Sequence, residues 1–95
     1  GNKIIKDAAG SKPEPTDLVR IHYVGKLIDG TTFDSSYTRG ETAVFPVNRV
    51  VPGFSQGLQL MSPGAKYQIF IPGQLGYGSG DGPGGPMAVM IFQIE

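Results

Sequence analysis

The chain has 95 residues, with eight Lys and Arg against eight Asp and Glu, 39% hydrophobic residues, fifteen Gly, eight Pro and no Cys. That length suits one domain and leaves no room for a second, and the balanced charge supplies no field to draw it to nucleic acid or an acidic membrane. Without Cys there is no disulfide, thiolate metal site or cysteine nucleophile, and no apolar run approaches the roughly 20 residues of a membrane span.

In chain order, KIIKDAAGSKPEP opens on Ile4-Ile5 and loses periodicity through Pro15, which predicts an edge strand and a loop over residues 1–15. In DLVRIHYVGKL, Val19, Ile21 and Tyr23 alternate with Arg20 and His22, the pattern of one half-buried strand. Asp29-Gly30 predicts a two-residue hairpin turn, and the returning strand carries Phe33. DSSYTRGET is polar and reads as a loop, and in AVFPV the proline Pro46 argues for an edge strand or a bulge.

VVPGFSQGLQLMSPG is the one helical stretch. Phe54, Leu58 and Met61 fall at i, i+4 and i+7, a stripe of about two turns closed by Pro63-Gly64. Gly57 interrupts it, as expected where a strand approaches closely. In AKYQIFIP, Tyr67, Ile69 and Ile71 alternate with Gln68 and Phe70, and the final MAVMIFQIE is a strand beyond a glycine-rich loop. The sum is an α+β domain: a five- to six-stranded antiparallel sheet whose apolar face is covered by one short helix.

Several motifs invite chemistry. G-x-G-x-x-G occurs at Gly80, Gly82 and Gly85, but a nucleotide site needs a helix after it, and here a strand follows, so a surface loop is expected. His22 alternates with Tyr23 and has no second His or Cys to complete a metal site, which points to a structural histidine. Asp34 and Arg39 form either a surface ion pair or the rim of an apolar pocket; in both cases they order the loop. Nine aromatics are present, and Tyr23, Phe33, Phe45, Phe54, Tyr77 and Phe92 lie at strand ends, at the helix mouth or beside loops. A buried tyrosine wants its hydroxyl bonded, and at a pocket rim a ligand can supply that bond.

VRIHYVGKLIDGTTFDSSYTRGE, VVPGFSQGLQLMSPG and IPGQLGYG together resemble an FKBP-type peptidyl-prolyl isomerase domain, most similar to the bacterial macrophage infectivity potentiator type. The resemblance runs from about Val19 to Gly78 and resumes at MIFQIE. It implies a twisted sheet wrapped around one short helix, and a proline pocket lined by Tyr23, Phe33, Asp34, Arg39, Phe45, Val50, Val51, Phe54, Tyr77 and Phe92. Tyr23, Phe33, Asp34, Tyr77 and Phe92 would carry catalysis; Arg39, Phe45, Val50, Val51 and Phe54 would bind the ligand. No metal or cofactor is implied.

The implied activity is acceleration of X-Pro bond rotation in peptides and unfolded proteins, with binding of tacrolimus- or rapamycin-like macrolides. The chain departs from the family in two places. Phe54 stands where tryptophan is usual, and GSGDGPGGPMAV replaces a loop that commonly carries an apolar residue and a Pro-Pro pair. Those losses favour the alternative of a non-catalytic FKBP-fold module for proline-containing segments; a purely structural β-domain is a third possibility. Gly1 in place of a methionine, and an end at Glu95 before the family's usual terminus, suggest a piece trimmed at both ends. The resemblance also suggests a bacterial periplasm or outer-membrane surface, with the cytoplasm as alternative, and a homodimer formed through a preceding segment.

Overall fold

The computed structural model describes residues 2–95. Among the described residues there are seven strands: β1 Lys3–Lys6, β2 Leu18–Ile21, β3 Tyr23–Leu27, β4 Thr32–Ser35, β5 Ala43–Pro46, β6 Lys66–Ile71 and β7 Met90–Ile94. Five of them form an antiparallel sheet in the order β1-β6-β7-β3-β4, and β2 pairs with β5 in a separate ribbon. The five-stranded sheet and the covering helix agree with the expected α+β fold. The second sheet was not foreseen.

The stretch expected as one strand is two, broken at His22. Side-chain alternation survives the break, since Ile21 and Tyr23 are both buried; what changes is the partner. His22 exchanges backbone hydrogen bonds with Glu95, at 2.9 and 2.9 Å, at the end of the β3–β7 ladder. Upstream of it the chain leaves that sheet and pairs Ile21 with Ala43 and Leu18 with Pro46. Periodicity reports which way side chains point and is blind to a change of neighbour.

The β3–β4 turn is longer than the two residues expected. The Gly30 N–H donates to the Leu27 carbonyl at 2.9 Å, the Leu27 N–H donates to Thr31, and φ is positive at Gly30 (91°) but not at Asp29. A two-residue type I′ turn needs positive φ at both central positions. Instead the Asp29 carboxylate accepts the Thr31 N–H at 2.9 Å, which holds the aspartate in an ordinary conformation.

The polar segment read as a loop contains a one-turn helix, α1 (Ser36–Arg39). Its start and stop signals are present in the sequence: the Ser35 side chain accepts the Thr38 N–H, and Gly40 closes it at φ 73°. Ser36 is fully buried. Its hydroxyl accepts the Tyr23 N–H at 2.8 Å, donates to the Tyr23 carbonyl at 3.2 Å and lies 2.8 Å from His22 Nδ1. This fixes His22 as a structural residue, stacked on Tyr37 with ring centroids 4.4 Å apart. Ser36→Ala leaves the buried Tyr23 N–H without its acceptor, so it is expected to cost about 1–3 kcal/mol, measured by denaturant unfolding.

The main helix, α2 (Pro52–Leu58), begins on proline at its first position, where no amide donor is needed. Its glycines set the spacing to β6. A Cβ at Gly53 would lie 2.8 Å from Ile71 Cγ2, and one at Gly57 would lie 1.9 Å from Ile69 Cδ1. The helix ends at Leu58, short of the expected Met61. Tighter turns continue it, with Leu60 N–H donating to Gly57 and Met61 N–H to Leu58, and Met61 stays buried. Phe54, Leu58 and Met61 thus all face the core formed by Tyr67, Ile69, Ile71 and β7.

Candidate active site

The described residues form a cavity of about 490 Å³ lined by Tyr23, Phe33, Asp34, Phe45, Arg49, Val50, Val51, Phe54, Tyr77 and Phe92. The contributors are distant in sequence: β3 gives Tyr23, β4 gives Phe33 and Asp34, β5 gives Phe45, α2 gives Phe54 and β7 gives Phe92. Arg49 closes a 3-10 turn, Val47–Arg49, and Val50 and Val51 link that turn to α2.

Phe54 is the hub, with 4% of its surface exposed. Its ring meets Phe92 at 4.9 Å, Tyr23 at 6.0 Å and Phe45 at 6.3 Å between centroids, with interplanar angles of 89°, 87° and 71°. Phe33 meets Phe92 edge-on at 5.6 Å. Edge-to-face pairs set the positive rim of one ring against the negative face of another, each contributing about 0.5–1.5 kcal/mol beyond buried area. Gly25, paired with both Asp34 and Phe92, makes room for this packing: a Cβ there would lie 2.7 Å from Phe92 and 2.8 Å from Phe33.

The polar part of the wall is a single network. The Tyr23 hydroxyl donates to one Asp34 oxygen, and the Arg39 guanidinium donates to the other at 2.6 Å. A second guanidinium nitrogen of Arg39 donates to the Tyr23 hydroxyl at 3.0 Å. Burial alone would raise the Asp34 carboxyl, but the bonds from Tyr23 and Arg39 outweigh it and hold it below the ordinary value of 3.8. Burial, and then the bond to Asp34, push the Tyr23 phenol above 10.0. At neutral pH the carboxylate is therefore ionised and the phenol is a neutral donor.

Tyr77 is 52% exposed, and among the described residues its hydroxyl has no hydrogen-bond partner. The Val51 N–H likewise has none, although the Val51 carbonyl accepts the Ser55 N–H at 3.1 Å as the first bond of α2. Two unused donors, one backbone and one phenolic, thus belong to residues of the cavity wall, apart from the Asp34 network.

The sequence pattern of the FKBP-type peptidyl-prolyl cis-trans isomerase family matches residues 9–95. The chain belongs to that family. It is 48% identical over 94 residues to the FKBP-type peptidyl-prolyl cis-trans isomerase FkpA of Aeromonas hydrophila, covering 98% of this chain and 35% of the relative. It is 46% identical over 95 residues to the outer membrane protein MIP of Legionella longbeachae, covering 98% and 41%. The crystal structure of FkpA from Escherichia coli superposes with a TM-score of 0.93 at 38% identity, covering 99% of this chain and 45% of that one. The chain therefore spans between a third and a half of the length of these relatives. No helix among its described residues is long and apolar enough to cross a membrane.

Nine of the ten residues assigned to the FKBP pocket from the sequence line the cavity, and Arg39, the tenth, reaches it through Asp34 and Tyr23. Arg49 was missed. It is exposed and, among the described residues, in no ion pair, and its only signal was its place beside Val50 and Val51. The motif glycines Gly80, Gly82 and Gly85 lie in the loop between the 3-10 turn Gly73–Leu75 and β7, with no helix following.

A second hollow, of about 380 Å³, lies beyond the C-terminal end of α2, between Leu58, Met61 and residues of β2. It holds no aromatic ring, and its charged residues, Lys12, Asp17, Arg20 and Glu95, form no ion pair with one another.

Proposed function

We propose that this FKBP-type domain is a peptidyl-prolyl cis-trans isomerase acting on proline-containing peptides and unfolded proteins, and that tacrolimus- or rapamycin-like macrolides compete for the same cavity. The observation that carries the reading is the convergence of Tyr23, Phe33, Phe45, Phe54 and Phe92 around one cavity whose polar network is satisfied within the wall.

Rotation of an X-Pro bond breaks amide resonance, with a barrier of about 18–20 kcal/mol, and no bond is made or cut. The site need only favour the twisted amide, and each 1.4 kcal/mol or so of preference is a factor of ten in rate. A planar amide carries more charge separation than a twisted one. An aromatic slot that strips water from the amide disfavours the planar ground state, so rings accomplish what acid, base or metal would do elsewhere. The prolyl ring packs on Tyr23, Phe33, Phe54 and Phe92, with Val50 and Val51 completing the wall. The Val51 N–H and the Tyr77 hydroxyl bond the substrate carbonyls flanking the prolyl bond. Asp34, held by Arg39 and Tyr23, orients the rim and faces the twisted carbonyl. The resemblance to infectivity potentiators, and the name of the Legionella relative, support action at a bacterial envelope.

A non-catalytic binding module is the second reading. Phe54 favours it, because a phenyl floor offers a ligand less apolar contact surface than an indole floor and lacks the N–H donor. One assay separates the two. The domain is added to a short Phe-Pro or Leu-Pro peptide, and cis-to-trans relaxation is followed with and without a macrolide. Acceleration suppressed by the macrolide is expected; macrolide binding with relaxation no faster than in buffer would leave the binding module standing.

A further inference from the structure

We propose that Gly82 is a positioning residue for Tyr77: its bare α-carbon is the seat on which the tyrosine ring rests, and the G-x-G-x-x-G loop serves this seating. The inference rests on the role of Tyr77 given above.

Three observations carry it. First, a Cβ at Gly82 would lie 2.4 Å from Tyr77 Cγ, 2.6 Å from its Cβ and 2.7 Å from its Cδ2. An ordinary contact is 3.4–4 Å, so the ring base would have to move by on the order of 1 Å, a displacement large enough to matter at a catalytic site. Second, backbone conformation does not demand glycine there. Gly84 and Gly85 have φ of 78° and 87° and serve the turn, whereas Gly82 is not among the residues of positive φ. The ring is the obstacle to a side chain at 82.

Third, the loop folds back onto its own start. The Gly80 N–H donates to the Tyr77 carbonyl at 3.1 Å, the Gly82 N–H to Gly80 at 3.1 Å and the Met87 N–H to Gly78 at 2.7 Å. These bonds carry residue 82 back against the ring. Among the described residues the Tyr77 side chain has no hydrogen bond to fix it, and it is half exposed, so contact with Gly82 is what orients it. A glycine run that resembles a nucleotide motif thereby acquires a mechanical use.

The test is a double-mutant cycle on the domain: wild type, Gly82→Ala, Tyr77→Ala and the double variant, with exposed Ser79→Ala as a loop control. In the wild-type background Gly82→Ala is expected to lower kcat/KM by roughly two- to tenfold, the worth of one misplaced hydrogen bond. In the Tyr77→Ala background it is expected to cost clearly less, because the ring is gone and only the contact with the Cβ of residue 77 remains. Thermal midpoints should agree within a few degrees, and NMR should show Gly82 Hα protons in contact with the Tyr77 ring in the wild type. An equal loss in both backgrounds, no loss in either, or absence of that contact overturns the proposal. If the wild type fails to accelerate relaxation, the isomerase reading falls by itself, and the cycle is read on the Kd for the Phe-Pro peptide instead; no Tyr77-dependent effect there overturns the seating role as well.

Discussion

Phe54→Ala is expected to lower the stability of the domain by about 3–5 kcal/mol, the range for removing a buried aromatic. For a domain of this size each kcal/mol shifts the melting temperature by about 4–8 °C, so a fall of roughly 12–40 °C is expected by calorimetry. The reason is structural before it is catalytic: the ring meets Tyr23, Phe45 and Phe92 at once, and no neighbouring backbone can collapse into the gap while β3 and β7 stay paired. Isomerase activity should be lost even at a temperature where circular dichroism shows the variant folded. A melting temperature within about 3 °C of wild type would show that Phe54 is not the hub. Phe54→Trp probes the other side of the same residue. The indole can extend into the cavity rather than the core, so the fold should persist and macrolide binding should tighten; unchanged or weaker binding would show that the phenyl floor loses no contact a ligand needs.

Asp34→Ala is expected to lower kcat/KM on the order of tenfold while the circular dichroism spectrum stays native. It is also expected to destabilise the fold by about 1 kcal/mol, because it removes the acceptor of the part-buried Tyr23 hydroxyl. Arg39→Ala should cost less stability. Its partner Asp34 keeps the bond from Tyr23, and the ion pair is exposed, so solvent screens it. Combining Tyr23→Phe with Asp34→Ala should be less than additive, since both remove one hydrogen bond. Strict additivity in denaturant unfolding would show that the two groups act separately. An unfolded Asp34→Ala variant would make the residue structural and withdraw its functional role. The Asp34 carboxyl lies below 3.8 in the folded domain. Its contribution to stability is therefore complete above that value and lost as pH falls through the lower folded value. Asp34→Asn should remove this acid limb.

What was legible in the sequence follows from what local patterns encode. Alternation put Ile21, Tyr23, Tyr67, Ile69 and Ile71 on the buried face, and the spacing of Phe54, Leu58 and Met61 identified the covering helix, with Gly57 marking the close approach to Ile69. The pocket residues came through the family motifs, because side chains from β3, β4, β5, α2 and β7 meet only through long-range pairing. Patterns that depend on partners were missed. The switch of strand at His22 changes no side-chain direction, and the Asp29-Gly30 pair gives way to a longer turn once the Asp29 carboxylate bonds Thr31. Arg49 reaches the wall only through the turn that precedes Val50.

In the proposed mechanism, an apolar aromatic slot with a charge-fixed rim twists the prolyl bond without proton transfer. The direct test is kcat/KM for a Phe-Pro peptide measured from about pH 5 to 9. Asp34 is held ionised and Tyr23 neutral across this window. His22 is bonded to Ser36 and lies away from the cavity lining. A flat profile, well above the rate in buffer throughout, is the predicted result; a bell-shaped profile, or a rate equal to buffer at every pH, would contradict it.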